Sequence, residues 1–409
     1  MRLALRLARR GYGMTSPNPM VGAVLVKSGK IIGRGWHRRV GLPHAEIEAL
    51  RNAQKCGHNP RGATLYVTLE PCCTHGRTPP CTVAIIAAGI KRVIIGVTDP
   101  NPRHGGRAFN ILRRAGIIVT ALGEGRARHS VRAVSSLANA RRPENYAPYR
   151  AIADECARLN EAFNHWIVRR TPFVTVKAAM TLDGKIATAG GESKWITSEK
   201  ARAHGMKLRQ GADAILVGIN TILADDPALT VRIGAPNSRS ARANSEIGAP
   251  RLRRIILDSM ARTPPTVKVV NDAFAALTTI VVSKHAPQKR VMALAKHVNV
   301  IVAPTANSKL KIKNSKLDVR RLLKKLGSEN VTSLLVEGGG EVNASFLLGG
   351  FAQRVAFFYA PKILGGRDSH KGVAGGGAKS LSEVLRLRDV EWKRLGPDLL
   401  VTARLESKL

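Results

Sequence analysis

Aromatic residues are scarce in this 409-residue chain, at 4% of the sequence. A core must therefore be built from aliphatic side chains, which an apolar content of 44% permits. No run of eighteen or more apolar residues escapes interruption by charge, so no membrane-spanning helix and no membrane partner are expected. Cysteines number only five. That odd count does not suit a disulfide framework, and a reducing, cytoplasmic compartment is expected. Acidic residues are few beside basic ones, yet no RNA-recognition aromatic motif accompanies the imbalance. No specific nucleic-acid partner is therefore expected.

The imbalance itself is large: 66 Lys and Arg against 28 Asp and Glu, a net charge of +38. Residues 1–150 hold 25 basic and 6 acidic side chains and the remainder hold 41 and 22, so each part carries +19. This is a drift of the whole composition, not a basic tail. It predicts attraction to polyanions and self-repulsion that salt relieves. The length allows two or three domains. Residues 1–14 are Arg-rich and free of acid, like a transit peptide. Leu3, Ala4, Leu5, Leu7 and Ala8 also suit the first helix of a domain. The helix is preferred, because motifs begin immediately after it.

Those motifs centre on His44-Ala45-Glu46 and on Pro71-Cys72, with Cys81 beyond a turn shaped by Gly76, Pro79 and Pro80. His44, Cys72 and Cys81 offer one imidazole and two thiolates to zinc, leaving a tetrahedral corner for water, as a catalytic zinc requires. A structural zinc with Cys73 or His75 as fourth ligand is the alternative. Glu46 weighs against it, because a structural site needs no acid there. The H-x-E…P-C…C order is that of zinc nucleobase deaminases, in which the glutamate carries protons. Upstream, two prolines present Asn18, whose amide can pair with a pyrimidine edge or simply close a turn.

Strand and helix patterns alternate through this part. Strands are expected at Val21–Lys27, Ile31–Trp36, Ala63–Leu69 and Arg92–Val97, with helices opening at His44, at Cys81 and after Gly106. This predicts a three-layer α/β/α domain over residues 1–124. Residues 125–170 read as a linker plus a bridging helix, with one helix spanning Tyr149–Trp166. A second α/β domain, residues 171–409, is expected from strands at Phe173–Ala179, Ala214–Gly218, Arg254–Asp258, Thr278–Ser283, Val298–Val302 and Ser333–Val336, and a helix at Glu199–Gln210. Polar runs near 235–250 and 305–316 read as surface loops. Glu337-Gly338-Gly339-Gly340 lies between the last strand and a helix. Backbone N–H groups at such a helix start face a phosphate-bearing ligand.

Taken together, Pro17-Asn18-Pro19, His44-Ala45-Glu46, the run from Thr68 to Cys81, Asp99-Pro100-Asn101-Pro102, Leu182-Asp183-Gly184, Trp195-Ile196-Thr197-Ser198, Ala224-Asp225-Asp226-Pro227-Ala228-Leu229-Thr230, Glu337-Gly338-Gly339 and Ala360-Pro361-Lys362 resemble the bifunctional riboflavin-biosynthesis deaminase–reductase family. The resemblance spans both halves in order; residues 125–154 exceed the family's short connection. It implies a cytidine-deaminase-like domain followed by a dihydrofolate-reductase-like one, Zn2+ and NADPH as cofactors, and a pyrimidine ribonucleotide as substrate. It allows a homo-oligomer. It assigns NADP contacts to Ala179, Trp195, Thr221, Asp225 and Ser259. It places Gly339, Gly340, Glu341, Val342, Asn343, Ala344 and Ser345 around the pyrophosphate. It gives substrate contacts to Ser193, Arg209, Leu229, Arg232 and Glu337, with Lys177 near the ribose. Lys177 on a solvent face and Trp195 in the core are the plain alternatives.

Overall fold

A computed structural model describes residues 1–75, 79–122, 147–231, 252–303 and 317–406. The chain divides into two compact units, Met1–Arg169 and Arg170–Leu409. The loops expected near 235–250 and 305–316, and the basic stretch after Gly125, lie outside the described residues.

In the first unit, helix α1 (Arg2–Ala8) precedes strands β1 (Gly22–Lys27) and β2 (Lys30–Trp36). Ser28 and Gly29 join these strands with φ of 50° and 74°, the backbone of a two-residue hairpin turn. Helix α2 (Ala45–Lys55), β3 (Thr64–Val67), α3 (Cys81–Ala87), β4 (Arg92–Ile95), α4 (Arg107–Arg114) and β5 (Ile118–Ala121) follow. The sheet order is β2-β1-β3-β4-β5, with β3, β4 and β5 parallel. Because successive strand residues face opposite ways, β1 serves two cores. Ala23 and Leu25 pack with Ala45, Ala49 and Ala53 of α2, while Val24 packs with Ala4 and Leu7 of α1. Helices on both faces of one sheet give the three layers expected.

The single helix expected over Tyr149–Trp166 is two, α5 (Ala147–Leu159) and α6 (Glu161–Arg169). Asn160 between them is buried, and its side chain accepts from the Met20 N–H and donates to the Met20 carbonyl, at 2.8 and 2.9 Å. That pairing draws the helix junction onto the loop before β1. Cys156 of α5 packs at Gly96, just past β4.

The second unit has a nine-stranded sheet. Its strands are β6 (Phe173–Thr181), β8 (Ala214–Gly218), β9 (Arg253–Leu257), β10 (Thr278–Ser283), β11 (Asn299–Ala303), β12 (Ser333–Val336), β13 (Arg354–Ala360), β15 (Leu387–Leu395) and β16 (Asp398–Leu405). The order is β11-β10-β9-β8-β12-β6-β13-β16-β15. It is parallel from β11 to β13, and β16 and β15 close it antiparallel. The small strands β7 (Lys185–Ala187) and β14 (His370–Lys371) form a separate ribbon. All residues of β8 and β10 are buried, as parallel strands covered on both faces should be. Between β6 and β8 runs α7 (Glu199–Gln210), and β8 leads directly into α8 (Ile219–Asp225). A further helix, Gly340–Leu348, follows β12.

Candidate functional site

In the first unit three side chains converge from three elements. His44 is the N-cap residue of α2, Cys72 lies just past β3, and Cys81 is the first residue of α3. The His44 Nδ1 atom lies 3.5 Å from Cys72 Sγ and 3.4 Å from Cys81 Sγ, and the three donor atoms lie within 4.8 Å of one another. Zinc bonds of ~2.3 Å to sulfur and ~2.1 Å to nitrogen in a tetrahedron separate S from N by about 3.6 Å. The donor set and its spacing fit zinc.

The electrostatics agree with a proton-exchanging donor cluster. Cys72 is pulled down to about 4, chiefly by its hydrogen bond with Cys81, with His44 and the Cys81 N–H adding to the effect. The same bond pushes Cys81 up, reinforced by burial and by Glu46. His44 is raised by its hydrogen bond to Cys72, against the effect of burial. A divalent cation displaces such shared protons when it binds. Glu46, in the first turn of α2, is 3% exposed, and burial pushes its carboxyl up to about 7. A carboxyl balanced near neutrality can both accept and donate a proton.

Asn18 reaches the same place through a residue that sequence reasoning passed over. Its Nδ2 lies 3.1 Å from His37 Nε2, while His37 Nδ1 lies 3.1 Å from the Pro43 carbonyl. That carbonyl must receive the Nδ1 proton, so Nε2 accepts from Asn18. The His37 ring meets the His44 ring edge-on at 5.2 Å. His37 directly follows β2, and nothing in its neighbours marks it as a partner of Asn18.

In the second unit the expected residues gather at the C-terminal ends of adjacent parallel strands, where open α/β sheets place ligands. Glu337 follows β12 and Lys177 lies on β6, neighbours because Val336 pairs with Val176. Arg209 of α7 grips both Glu337 oxygens from Nε and Nη2 at 2.9 Å and donates to the Thr230 carbonyl at 3.2 Å. Lys177 Nζ stands 3.6 Å from Glu337 Oε2. Burial alone would raise Glu337, but Lys177 and Arg209 pull it down to about 2. Arg209 is thus committed to a carboxylate, a different duty from the phosphate fork that its charge suggests. Leu229, beside Thr230, is buried with φ of 50°.

Ala179 lies two residues beyond Lys177 on the same face of β6. Thr221 sits in α8 at the end of β8, and Ser259 follows β9, its carbonyl accepting from the Ser283 N–H and hydroxyl. Asp225 accepts from Ser193 Oγ at 3.3 Å and lies 3.8 Å from Lys194 Nζ. Trp195 is 66% exposed with the Arg202 guanidinium 4.5 Å from its ring centre, so it is not core. Gly339 caps the helix Gly340–Leu348 without a side-chain hydrogen bond, and open space faces it. Such a helix start fits a phosphate-bearing group. Within that helix Glu341 accepts from the Gly375 N–H and Ser345 donates to the Glu341 carbonyl. Val342 packs at Gly338, Ala344 is buried, and Asn343 is buried with Oδ1 unpartnered among the described residues. Arg232 lies outside the described residues.

Comparison with known proteins agrees with this two-site arrangement. Residues 1–97 match the cytidine and deoxycytidylate deaminase zinc-binding region, and residues 172–401 match the RibD C-terminal domain. The riboflavin biosynthesis protein RibD of Actinobacillus pleuropneumoniae is 39% identical over 98% of this chain and 93% of its own length. That of Aquifex aeolicus is 41% identical over 98% and 96%. Among solved structures, Acinetobacter baumannii RibD superposes with a TM-score of 0.77 at 30% identity, covering 99% of this chain and 98% of that one. The diaminohydroxyphosphoribosylaminopyrimidine deaminase/5-amino-6-(5-phosphoribosylamino)uracil reductase of Thermotoga maritima gives 0.73 at 34% identity, covering 99% and 97%. With matches of this length across both compact units, the chain belongs to the RibD family of riboflavin biosynthesis proteins.

Proposed function

We propose that the chain deaminates 2,5-diamino-6-(5-phosphoribosylamino)pyrimidin-4-one in its first unit and reduces the ribosyl chain of the product to ribityl in its second. The observation that carries the reading is the His44, Cys72 and Cys81 cluster with buried Glu46 beside it, in a chain that also holds the Lys177, Arg209 and Glu337 cluster. Residues 1–124 as deaminase, 125–170 as connection and 171–409 as reductase are part of this reading.

Zinc held by His44, Cys72 and Cys81 supplies Lewis acidity that makes water a nucleophile near neutral pH. Glu46 takes a proton from that water and returns it to the ring's 2-amino group. The C–N bond breaks, an oxygen replaces nitrogen on the ring carbon, and ammonia leaves. Asn18, oriented by His37, holds the pyrimidine edge. In the second unit NADPH, when bound, would supply the hydride that C1′ of the ring-opened ribosylamine takes up, with its nitrogen taking a proton. The free helix start at Gly339 receives the cofactor's phosphates, with Ala179, Trp195, Thr221, Asp225 and Ser259 along its length. Glu337, kept ionised by Arg209, accepts hydrogen bonds from substrate hydroxyls, and Lys177 holds a proton at the same strand end. Ser193, Leu229 and Arg232 complete the substrate contacts.

Five free cysteines support a reducing, cytoplasmic setting. Strand β15 is exposed along most of its length, with Trp392 at 65%, which supports a homo-oligomer. The test is incubation with the diamino-pyrimidine nucleotide, with and without NADPH, following ammonia and NADPH oxidation separately. Ammonia release without NADPH, and NADPH oxidation only after it, are expected. Ammonia released from tRNA but not from the free nucleotide would replace this reading with a nucleic-acid deaminase, which the +38 charge would suit.

A further inference from the structure

Glu70 is 5% exposed and lies between β3 and Cys72, but it does not face the metal ligands through its hydrogen bonds. Its carboxylate accepts three backbone N–H groups. Oε2 takes those of Asp99 at 3.0 Å and Gly106 at 2.9 Å, and Oε1 takes that of Ala108 at 3.1 Å. Asp99 lies in the segment after β4 (which ends at Ile95) and Gly106 ends that segment, so one carboxylate ties both ends of the Asp99–Gly106 loop.

The loop is otherwise closed on itself. Asp99 Oδ1 accepts from the Asn101 N–H at 2.9 Å, and Asn101 Oδ1 accepts from the Arg103 N–H at 3.1 Å. The Asn101 carbonyl accepts from His104 and Gly105. Two nested side-chain turns of this kind hold their shape only if the ends are fixed. Helix α4, which starts at the loop's end, has no side-chain cap from its own N-cap residue Gly106. Glu70 supplies that cap from another element, with a charge that suits the helix start.

Position makes the loop relevant to chemistry. Strands β3 and β4 are parallel neighbours, so the segments leaving their C-terminal ends lie side by side. The segment leaving β3 carries Cys72. Thr74, two residues past it, meets His104 of the loop, with 3.3 Å between Oγ1 and Nδ1.

We propose that Glu70 is a positioning residue of the deaminase site, holding the Asp99–Gly106 loop as a wall against which the pyrimidine nucleotide binds. This rests on the deaminase reading of the first unit. The loop brings His104 against the metal-bearing segment at Thr74, and both loop ends are set by one side chain.

The test is Glu70→Gln in the full chain. An amide has one acceptor oxygen and an NH2 group, so at least one of the three N–H groups would face a donor. With the loop no longer held by an ionic acceptor, KM for the diamino-pyrimidine nucleotide is expected to rise about tenfold or more. Deamination kcat, bound zinc and NADPH-dependent reduction of the deaminated intermediate are expected to stay near wild type. Thr74→Val, which removes only the tie to His104, is expected to raise KM less and leave zinc unchanged. Hydrogen exchange on the wild-type protein gives an independent check, because the N–H groups of Asp99, Gly106 and Ala108 must exchange slowly.

Unchanged KM in Glu70→Gln, a loss of zinc together with kcat, or fast exchange at those three N–H groups would each overturn the positioning role. No ammonia from the wild-type protein would instead overturn the deaminase reading beneath it.

Discussion

Replacing Glu337 tests how the second unit keeps two cations at one site. Glu337 is nearly enclosed, with its side chain 10% exposed, and Arg209 beside it is 16% exposed. Burial would raise the carboxyl, but Lys177 and Arg209 bring it to about 2 from an ordinary 4.5. That gap corresponds to about 3 kcal/mol in favour of the ionised form in the folded state. Glu337→Gln leaves the Arg209 guanidinium buried without its counter-charge, a change that costs about 3–5 kcal/mol. Because the folded pKa lies below the unfolded one, the unfolded chain binds more protons between them. The stabilisation is complete above the ordinary carboxylate range and disappears as pH falls from about 4.5 toward about 2. The assay is denaturant unfolding of both proteins from pH 3 to pH 8, resolving each unit's transition. The difference in the second unit's stability is expected to be flat from pH 6 to 8 and to shrink below about pH 4.5. A difference that titrates near neutrality, or none at all, would refute the reasoning. In activity, Glu337→Ala is expected to impair reduction and spare deamination. Equal damage to both would point to a folding defect or a shared site.

Glu46→Ala is expected to abolish deamination, by at least about 100-fold, while metal analysis still finds zinc and NADPH oxidation with deaminated substrate continues; retained turnover would remove Glu46 from its role. A strong chelator should stop ammonia release, and restored zinc should recover it, with reduction unaffected throughout. Gly35→Ala would place a Cβ 2.3 Å from the Ala45 carbonyl and 2.4 Å from the Ala49 N–H, forcing β2 and α2 apart. Overpacking of this kind costs about 1–3 kcal/mol or more, and α2 carries Glu46, so thermal stability of the first unit and deamination should fall together. Gly29→Ala, at a turn with φ of 74° and open space, should cost only about 1–2 kcal/mol and leave activity intact.

The sequence was most readable where a short aliphatic run met clear punctuation. Ala214–Gly218, Thr278–Ser283, Ser333–Val336 and the helix Glu199–Gln210 have the expected bounds. Ser198 shows why the helix start was plain, since its hydroxyl accepts from the Ala201 N–H as an N-cap should. The strand expected at Ala63–Leu69 is only Thr64–Val67, because Thr68 turns its hydroxyl to the Gly22 N–H and the chain then bends into the metal segment. Strands β13, β15 and β16 lie outside the expected set, although the Val355–Tyr359 run of β13 suits a strand. In β15 charged residues occupy both faces, Lys393 and Arg394 among them, and a bulge between Arg388 and Glu391 shifts the register, so no period-two pattern survives. The convergence of His44, Cys72 and Cys81 was legible because metal geometry restricts which residue types can serve. His37, Glu70 and the split at Asn160 were not, because each acts through a partner at least 19 positions away.

The same contrast explains why so basic a chain can hold such specific sites. The cations at the centre of the second unit are buried or half-buried, and paired. Arg209 and Lys177 meet Glu337, and Arg254, 1% exposed, meets Asp272 and donates to Thr278 and the Ala228 and Val269 carbonyls. Arg254 thereby fixes the carbonyl just before Leu229, linking a structural hub to the loop proposed to meet the substrate. The surplus lies outside such hubs, at positions such as Lys30, Arg34, Lys55 and Lys393, all exposed to solvent. Solvent and salt screen charges there, so they change encounter rates with a phosphorylated substrate more than they change its bound geometry. Selectivity must then come from the few cations whose direction is fixed by a buried acid. Replacing Glu337, one of only 28 acidic residues, is therefore expected to lower reduction more than replacing an exposed arginine such as Arg34, measured as NADPH oxidation with the deaminated substrate.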